Sequence, residues 1–124
     1  MIPLLSGRYH VIAPDYLGSG YSARPNPKTQ KYTFELLAQY VEGLLTTLKV
    51  KRYSLYIQDF GAPVGFRMLL NNPNKLDALI VQNGNAYLKD VPNAEIHLLD
   101  SGHFSVEEKP VEIAKYIVNF MDKL

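Results

Sequence analysis

The chain lacks several features, and each absence excludes a class of protein. None of its 124 residues is cysteine, which excludes a disulfide framework and a thiolate metal site and is typical of a reducing compartment. No apolar run approaches the roughly 18 residues of a membrane span, and no signal-peptide pattern opens the chain. The formal net charge is +1, without a basic stripe or an acidic tail. We therefore expect a cytoplasmic protein that binds neither nucleic acid nor membranes.

What is present is typical of one globular domain over residues 1–124, with 47% hydrophobic and 20% charged residues. Strand-like runs alternate with helical patterns along the chain. The predicted strands are Tyr9–Ala13, Tyr53–Ile57, Leu76–Gln82 and Ala94–Leu99. The predicted helices are Phe34–Leu48, Ala62–Asn71, a short one over 86–93, and Pro110–Leu124. This alternation predicts an α/β fold of three layers, in which about four parallel strands are covered by helices on both faces.

The junction at Gln58 to Gly61 is the most informative stretch, because a β-rich run stops there and a helical pattern begins at once. An acidic residue, Asp59, lies at the apex of this strand, turn and helix. Such a turn presents a side chain for nucleophilic attack in the G-x-S-x-G motif, where Asp59 would hold the serine position and Gly61 the second glycine. A second interpretation is that Asp59 is an ordinary helix N-cap.

Three blocks together resemble the aspartate-nucleophile branch of the α/β-hydrolase family, the epoxide hydrolases and haloalkane dehalogenases. They are the Asp59 turn, the Gly- and Pro-rich segment 14–25 and the segment 99–104 around Ser-Gly-His. The resemblance implies that Asp59 is the nucleophile that forms an alkyl ester and that His103 is the base that activates water. It also implies that the backbone N–H of Phe60 is an oxyanion donor, that the substrate is a small apolar electrophile, and that no metal or cofactor takes part.

The sequence also departs from the family. The four strands resemble the fourth, fifth, sixth and eighth of the family sheet, so we expect a shortened chain with a deletion seam near 83–88, without a cap domain. No carboxylate follows the sixth strand, and Asp100 is a weak candidate for the acid that orients His103. Phe60 replaces a halide-binding tryptophan, which favours epoxide opening over dehalogenation. Turnover should therefore be impaired, the alternative being a non-catalytic remnant or binding domain, and the exposed sheet edges predict a homo-oligomer.

Overall fold

The computed structural model describes residues 1–83 and 93–124. The elements follow in the order α1 (Ile2–Leu5), α2 (Phe34–Thr47), β1 (Tyr53–Gln58), α3 (Gly61–Asn71), β2 (Leu76–Gln82), α4 (Ser105–Glu108) and α5 (Pro110–Met121), with a 3-10 turn at Pro73–Lys75 before β2. Two compact units divide the chain: a central unit of residues 13–85 and a terminal unit of residues 1–12 and 86–124. The predicted seam near 83–88 lies outside the described residues except for Asn83. The short helix predicted over 86–93 lies outside them except for Asn93.

The central unit is built around a parallel β1–α3–β2 arrangement. Strand β1 pairs with β2 in a register that places Tyr53 opposite Leu76 and Gln58 opposite Gln82. Parallel pairing requires a crossover, which α3 supplies. The α/β class is therefore confirmed, on a smaller sheet than expected.

Helix α2 starts as predicted, since the Thr33 hydroxyl accepts a hydrogen bond of 3.1 Å from the Leu36 N–H. The helical spacing of its apolar residues predicts one inward face, formed by Phe34, Leu37, Tyr40 or Val41, Leu44, Leu45 and Leu48. This face is buried only in part: Leu45 is buried and Val41 is half-buried, whereas Tyr40 is 52% exposed. Ala38, which the periodicity did not single out, is fully buried. Part of the apolar face of α2, formed by Leu37, Val41 and Leu44, therefore lies beside a groove rather than in the core.

Helix α3 packs very closely against β1, and Gly65 makes this possible. A Cβ at this position would lie 3.1 Å from Cδ2 of Leu55 and 3.4 Å from Cδ1 of Ile57, and closer still to Cγ2 of Ile57. Val64 and Met68 of the same helix are almost completely buried. The small residue thus lets the helix backbone approach the strand that ends at Gln58.

The terminal unit is organised around α5. The helical spacing of its apolar residues predicts an inward face of Val111, Ile113 or Ala114, Ile117, Phe120 and Met121, and Ile113, Ala114 and Ile117 are buried. Val111 was expected to face inward but is 67% exposed. Arg8 pairs with Asp122 at 2.7 Å, which ties the segment after α1 to the end of α5.

Two of the four predicted strands do not form ladders within the described residues. Tyr9 donates its backbone N–H to Leu5 O at 3.0 Å, so the start of the run 9–13 belongs to a helical turn after α1. The run 94–99 forms no ladder among the described residues, and its side chains contact the C-terminal segment instead. The His97 ring stacks on Tyr116 of α5 at 3.9 Å, and Lys123, two residues after α5, binds Glu95 at 2.6 Å. The count of about four strands is corrected to two for the described residues.

Candidate active site

Asp59 lies immediately after β1, in the backbone conformation that a sharp turn demands. Its φ is 46°, in the left-handed region, and the Ala62 N–H donates to Asp59 O at 3.0 Å to close the turn. For a residue with a side chain this conformation costs roughly 1–2 kcal/mol. A strained residue at an exposed turn is a recognised indicator of function.

The helix that follows does not use Asp59 as its N-cap. Helix α3 begins at Gly61, and the N-cap position is occupied by Phe60 with φ −62°. The N-cap interpretation of Asp59 therefore receives no support from the observed helix boundary. Phe60 follows Asp59 directly, as the predicted oxyanion donor must, and that role stays a prediction.

The carboxyl ends of β1 and β2 lie side by side at the edge where Asp59 sits. Gln58 and Gln82 are register partners, and Asn83 after β2 also adopts a left-handed backbone, with φ 48°. Tyr56 donates its hydroxyl hydrogen to Gln82 Oε1, and burial raises the pKa of Tyr56 to about 12, so the donor stays protonated. In open α/β sheets this edge is where ligands bind.

An aromatic wall borders the Asp59 turn. The Phe60 ring, 71% exposed, stacks on Phe34 of α2 with centroids 6.4 Å apart. The Arg67 guanidinium lies 5.7 Å from the centroid of the Phe34 ring and pairs with Glu35 at 3.5 Å. On this side the Asp59 turn is therefore bordered by two aromatic rings, and the Arg67–Glu35 ion pair lies next to the Phe34 ring.

Tyr16 also reaches the Asp59 turn at Gly61, and no sequence pattern marked this residue apart from its place after Asp15. A Cβ built on Gly61 would lie 3.6 Å from the Tyr16 hydroxyl oxygen. Burial raises the pKa of the Tyr16 phenol above its ordinary value, so the hydroxyl keeps its hydrogen at neutral pH. The start of α3 thus has a phenolic donor beside it.

His103 lies in the terminal unit, in the loop between the run 94–99 and α4. The residue is exposed, and its ring meets Phe104 edge-on at 5.2 Å. One turn later, the Glu108 carboxylate accepts a hydrogen bond of 3.2 Å from the Gly102 N–H. The loop that carries His103 is therefore closed by a carboxylate from α4.

The orienting acid was expected, weakly, at Asp100, which is exposed in this loop. Glu108 is the carboxylate whose contact with the residue before His103 is observed, although sequence reasoning did not single it out. The sequence feature that could have indicated Glu108 is its position five residues after His103. The Ser101 hydroxyl in the same loop is buried, without a hydrogen-bond partner in the described structure.

Asp59 belongs to the central unit and His103 to the terminal unit. Their convergence on one substrate therefore stays a prediction. Residues 1–83 and 93–124 contain no group of three or more His, Asp or Glu side chains that could hold a metal ion.

Comparisons with known proteins decide the family. The sequence profile described as alpha/beta hydrolase fold matches residues 1–90. The chain belongs to the α/β-hydrolase family. It is 42% identical over 87 residues to an uncharacterized hydrolase of Saccharomyces cerevisiae and 32% identical over 82 residues to a haloalkane dehalogenase of Mycobacterium marinum. It is also 35% identical over 81 residues to a fluoroacetate dehalogenase of a Burkholderia species. The predicted resemblance to dehalogenase-like hydrolases is confirmed.

These matches cover 70%, 66% and 64% of this α/β-hydrolase chain but only 29%, 27% and 27% of the three relatives. The chain thus spans less than a third of the length of the proteins it resembles. In the part of the chain that the structure describes, no helix is both long and apolar enough to cross a membrane.

Proposed function

We propose that the chain is a hydrolase-like protein in which Asp59 attacks a saturated carbon of a small apolar electrophile. An Asp59 carboxylate oxygen forms a bond to the carbon, and the carbon–oxygen bond of an epoxide breaks, leaving an alkoxide that takes a proton from solvent water. The product is an ester on Asp59. The observation that carries the proposal is the left-handed backbone of Asp59 on a turn between β1 and α3.

An epoxide is the preferred electrophile because Phe60 has a phenyl ring with no N–H to bind a departing halide. Two relatives are named as dehalogenases, so displacement of halide is the nearest competing chemistry. The two reactions share the attack by Asp59 and differ in what stabilises the leaving group. The Tyr16 hydroxyl beside Gly61 suits an oxygen leaving group, since it donates a hydrogen bond.

His103 would complete the cycle by taking a proton from water as the water attacks the ester carbonyl. The acyl carbon–oxygen bond then breaks, the departing oxygen takes the proton from His103, and the diol leaves the restored Asp59 carboxylate. The orienting acid of this step has no assigned residue in the chain, and Asp100 is exposed. Loss of that acid in a triad enzyme costs about 10⁴ in kcat. We therefore expect slow hydrolysis after a faster first step.

The second candidate function is a non-catalytic α/β-hydrolase remnant that binds a partner. The observation in its favour is that the runs 9–13 and 94–99 form no ladder among the described residues, so the sheet is smaller than a hydrolase core was expected to be. A remnant would retain the Asp59 turn, but Asp59 would not attack an electrophile.

Incubation of the full chain with styrene oxide, followed by intact-mass measurement, separates the two candidates. The hydrolase-like proposal expects an added mass of one styrene oxide, mapped to the peptide that contains Asp59 and absent from Asp59→Asn. Asp77→Asn is the matched control, because Asp77 pairs with Arg52 on the strand side and should not affect labelling. Absence of any adduct on Asp59 contradicts the proposal and supports the remnant.

A further inference from the structure

A groove of about 430 Å³ opens in the central unit between the loop 14–23 and one face of α2. Its walls are mainly aliphatic and phenolic, and include Tyr16, Leu17, Leu37, Tyr40, Val41 and Leu44. The aliphatic residues of α2 in this list belong to the half-buried part of its apolar face. The volume lies in the range of small-molecule sites, roughly 300–1,000 Å³.

The loop wall of the groove is preformed by its own hydrogen bonds. Asp15 accepts the Tyr21 N–H at 2.9 Å through its carboxylate and the Ser22 hydroxyl at 2.8 Å through its backbone oxygen. Gly18 donates its N–H to Ala23 O at 2.9 Å. Gly20 has a φ of 49° and leaves room for the Asp15 carboxylate, which a Cβ would overlap. The polar groups of the loop therefore bond within the loop and shape its wall.

Tyr16 relates the groove to the start of α3. This residue lines the groove, and its hydroxyl lies beside Gly61, the first residue of α3. On the other wall, Leu37 lies one helical turn after Phe34, and the Phe34 ring stacks on Phe60 next to Asp59. A molecule in the groove that hydrogen-bonds to the Tyr16 hydroxyl would therefore lie close to Gly61.

We propose that this groove binds a compact, uncharged aromatic molecule that carries one hydrogen-bonding oxygen, with the ring against the α2 aliphatic side chains and the oxygen at the Tyr16 hydroxyl. The charge of the groove supports an uncharged occupant: Asp15 is the one carboxylate among the lining residues, and no lysine or arginine is among them in the described structure. A bound anion would meet Asp15 without a compensating cation. The inference names the substrate class of the site at Asp59, and in that respect it rests on the proposed function.

Benzyl alcohol is a suitable probe, because it has the ring and the oxygen but no electrophilic carbon. In the isotope-labelled full chain, we expect saturable shifts at the methyl groups of Leu37, Val41 and Leu44, with Kd on the order of 1 mM for a ligand of this size. The Gly61 amide should shift with benzyl alcohol and much less with toluene, because toluene lacks the oxygen that reaches Tyr16.

Tyr16→Phe removes the hydroxyl and keeps the ring. We expect it to weaken benzyl alcohol binding by about three- to tenfold, the effect of one neutral hydrogen bond, and to leave toluene binding unchanged. Tyr53→Phe is the matched control, since Tyr53 lies on β1 and is not among the residues that line the groove. Shift dispersion of each variant reports that it is folded.

Three results would overturn the inference: no saturable shift at the α2 methyl groups, an equal loss of both ligands in Tyr16→Phe, or methyl shifts that follow protein concentration without ligand. The last result would mean that a second copy of the chain fills the groove. Because benzyl alcohol is unreactive, its binding to the unsubstituted chain is measured independently of labelling. Intact benzyl alcohol binding without styrene oxide labelling would thus reject the chemistry at Asp59 and retain the groove as a binding site.

Discussion

The close approach of α3 to β1 makes Gly65→Ala a sharp test of how the Asp59 turn is held. The added methyl would meet Leu55 at 3.1 Å and would overlap Ile57. Overpacking of a filled core costs typically about 1–3 kcal/mol. Both neighbours are branched side chains on one strand, so we take the upper half of that range, about 2–3 kcal/mol. Alanine offsets about 1 kcal/mol of this through its better helix propensity, which leaves a loss of about 1–2 kcal/mol.

Gly43→Ala is the matched control for this substitution. Gly43 lies inside α2, and a Cβ there would have nothing within 4 Å. The same change should therefore stabilise the protein by up to about 1 kcal/mol. Urea unfolding followed by circular dichroism measures both variants, with the midpoint of Gly65→Ala expected about 1 M lower than that of the wild type.

Gly65→Ala should also reduce styrene oxide labelling of Asp59, because the helix must move away from the strand that anchors the turn. A Gly65→Ala variant as stable as the wild type, beside a Gly43→Ala variant that behaves as expected, would refute the close packing. Unchanged labelling despite lost stability would refute its link to the turn.

Three further predictions concern other parts of the chain. Asp59→Gly should raise the free energy of unfolding by about 0.5–1 kcal/mol, because glycine adopts a positive φ without strain, and should abolish labelling; a less stable variant in urea would contradict this. Hydrogen bonds from Lys123 and then His97 hold the pKa of Glu95 below its ordinary value of 4.5, so this contribution to stability is present above that pH and is lost as the pH falls through the folded pKa. The difference in urea midpoint between wild type and Glu95→Gln should close from pH 7 to pH 3, and a constant difference would speak against the linkage. The open edges of β1 and β2 should promote self-association, which sedimentation equilibrium at high micromolar concentration would detect, whereas a monomer there would count against it.

The sequence predicted those parts of the fold whose signals are local. The boundary between β1 and α3 was visible because an apolar β-rich run ends at Gln58 and Pro63 suits the first turn of a helix. The start of α2 was visible because Thr33 is a good N-cap. Both features depend on residues within a few positions of one another, and both are found in the structure.

The parts that depend on distant partners were not predictable in the same way. A run such as 94–99 has strand composition, but a strand also needs a neighbour. Here His97 contacts Tyr116 of α5, and Glu95 contacts Lys123 just after that helix. Tyr16 was missed for a similar reason, since its proximity to Gly61 joins residues 45 positions apart. Pairing and proximity of this kind arise from the packing of the chain and leave no local pattern.

In the proposed reaction the two chemical steps would depend on different compact units, and this leads to a prediction about where the reaction stops. Formation of the ester needs the Asp59 turn, which the central unit supplies by itself. Breakdown of the ester needs His103, which the terminal unit carries on a loop closed by Glu108. We therefore expect the adduct on Asp59 to accumulate toward one per chain, with little change in steady-state hydrolysis in His103→Ala, as followed by intact mass against time. Turnover at an ordinary enzymatic rate, about 1–10³ per second, with a strong loss in His103→Ala, would contradict this. Glu108 would then be the first residue to test as the orienting acid, ahead of Asp100, because its carboxylate already contacts the backbone next to the histidine.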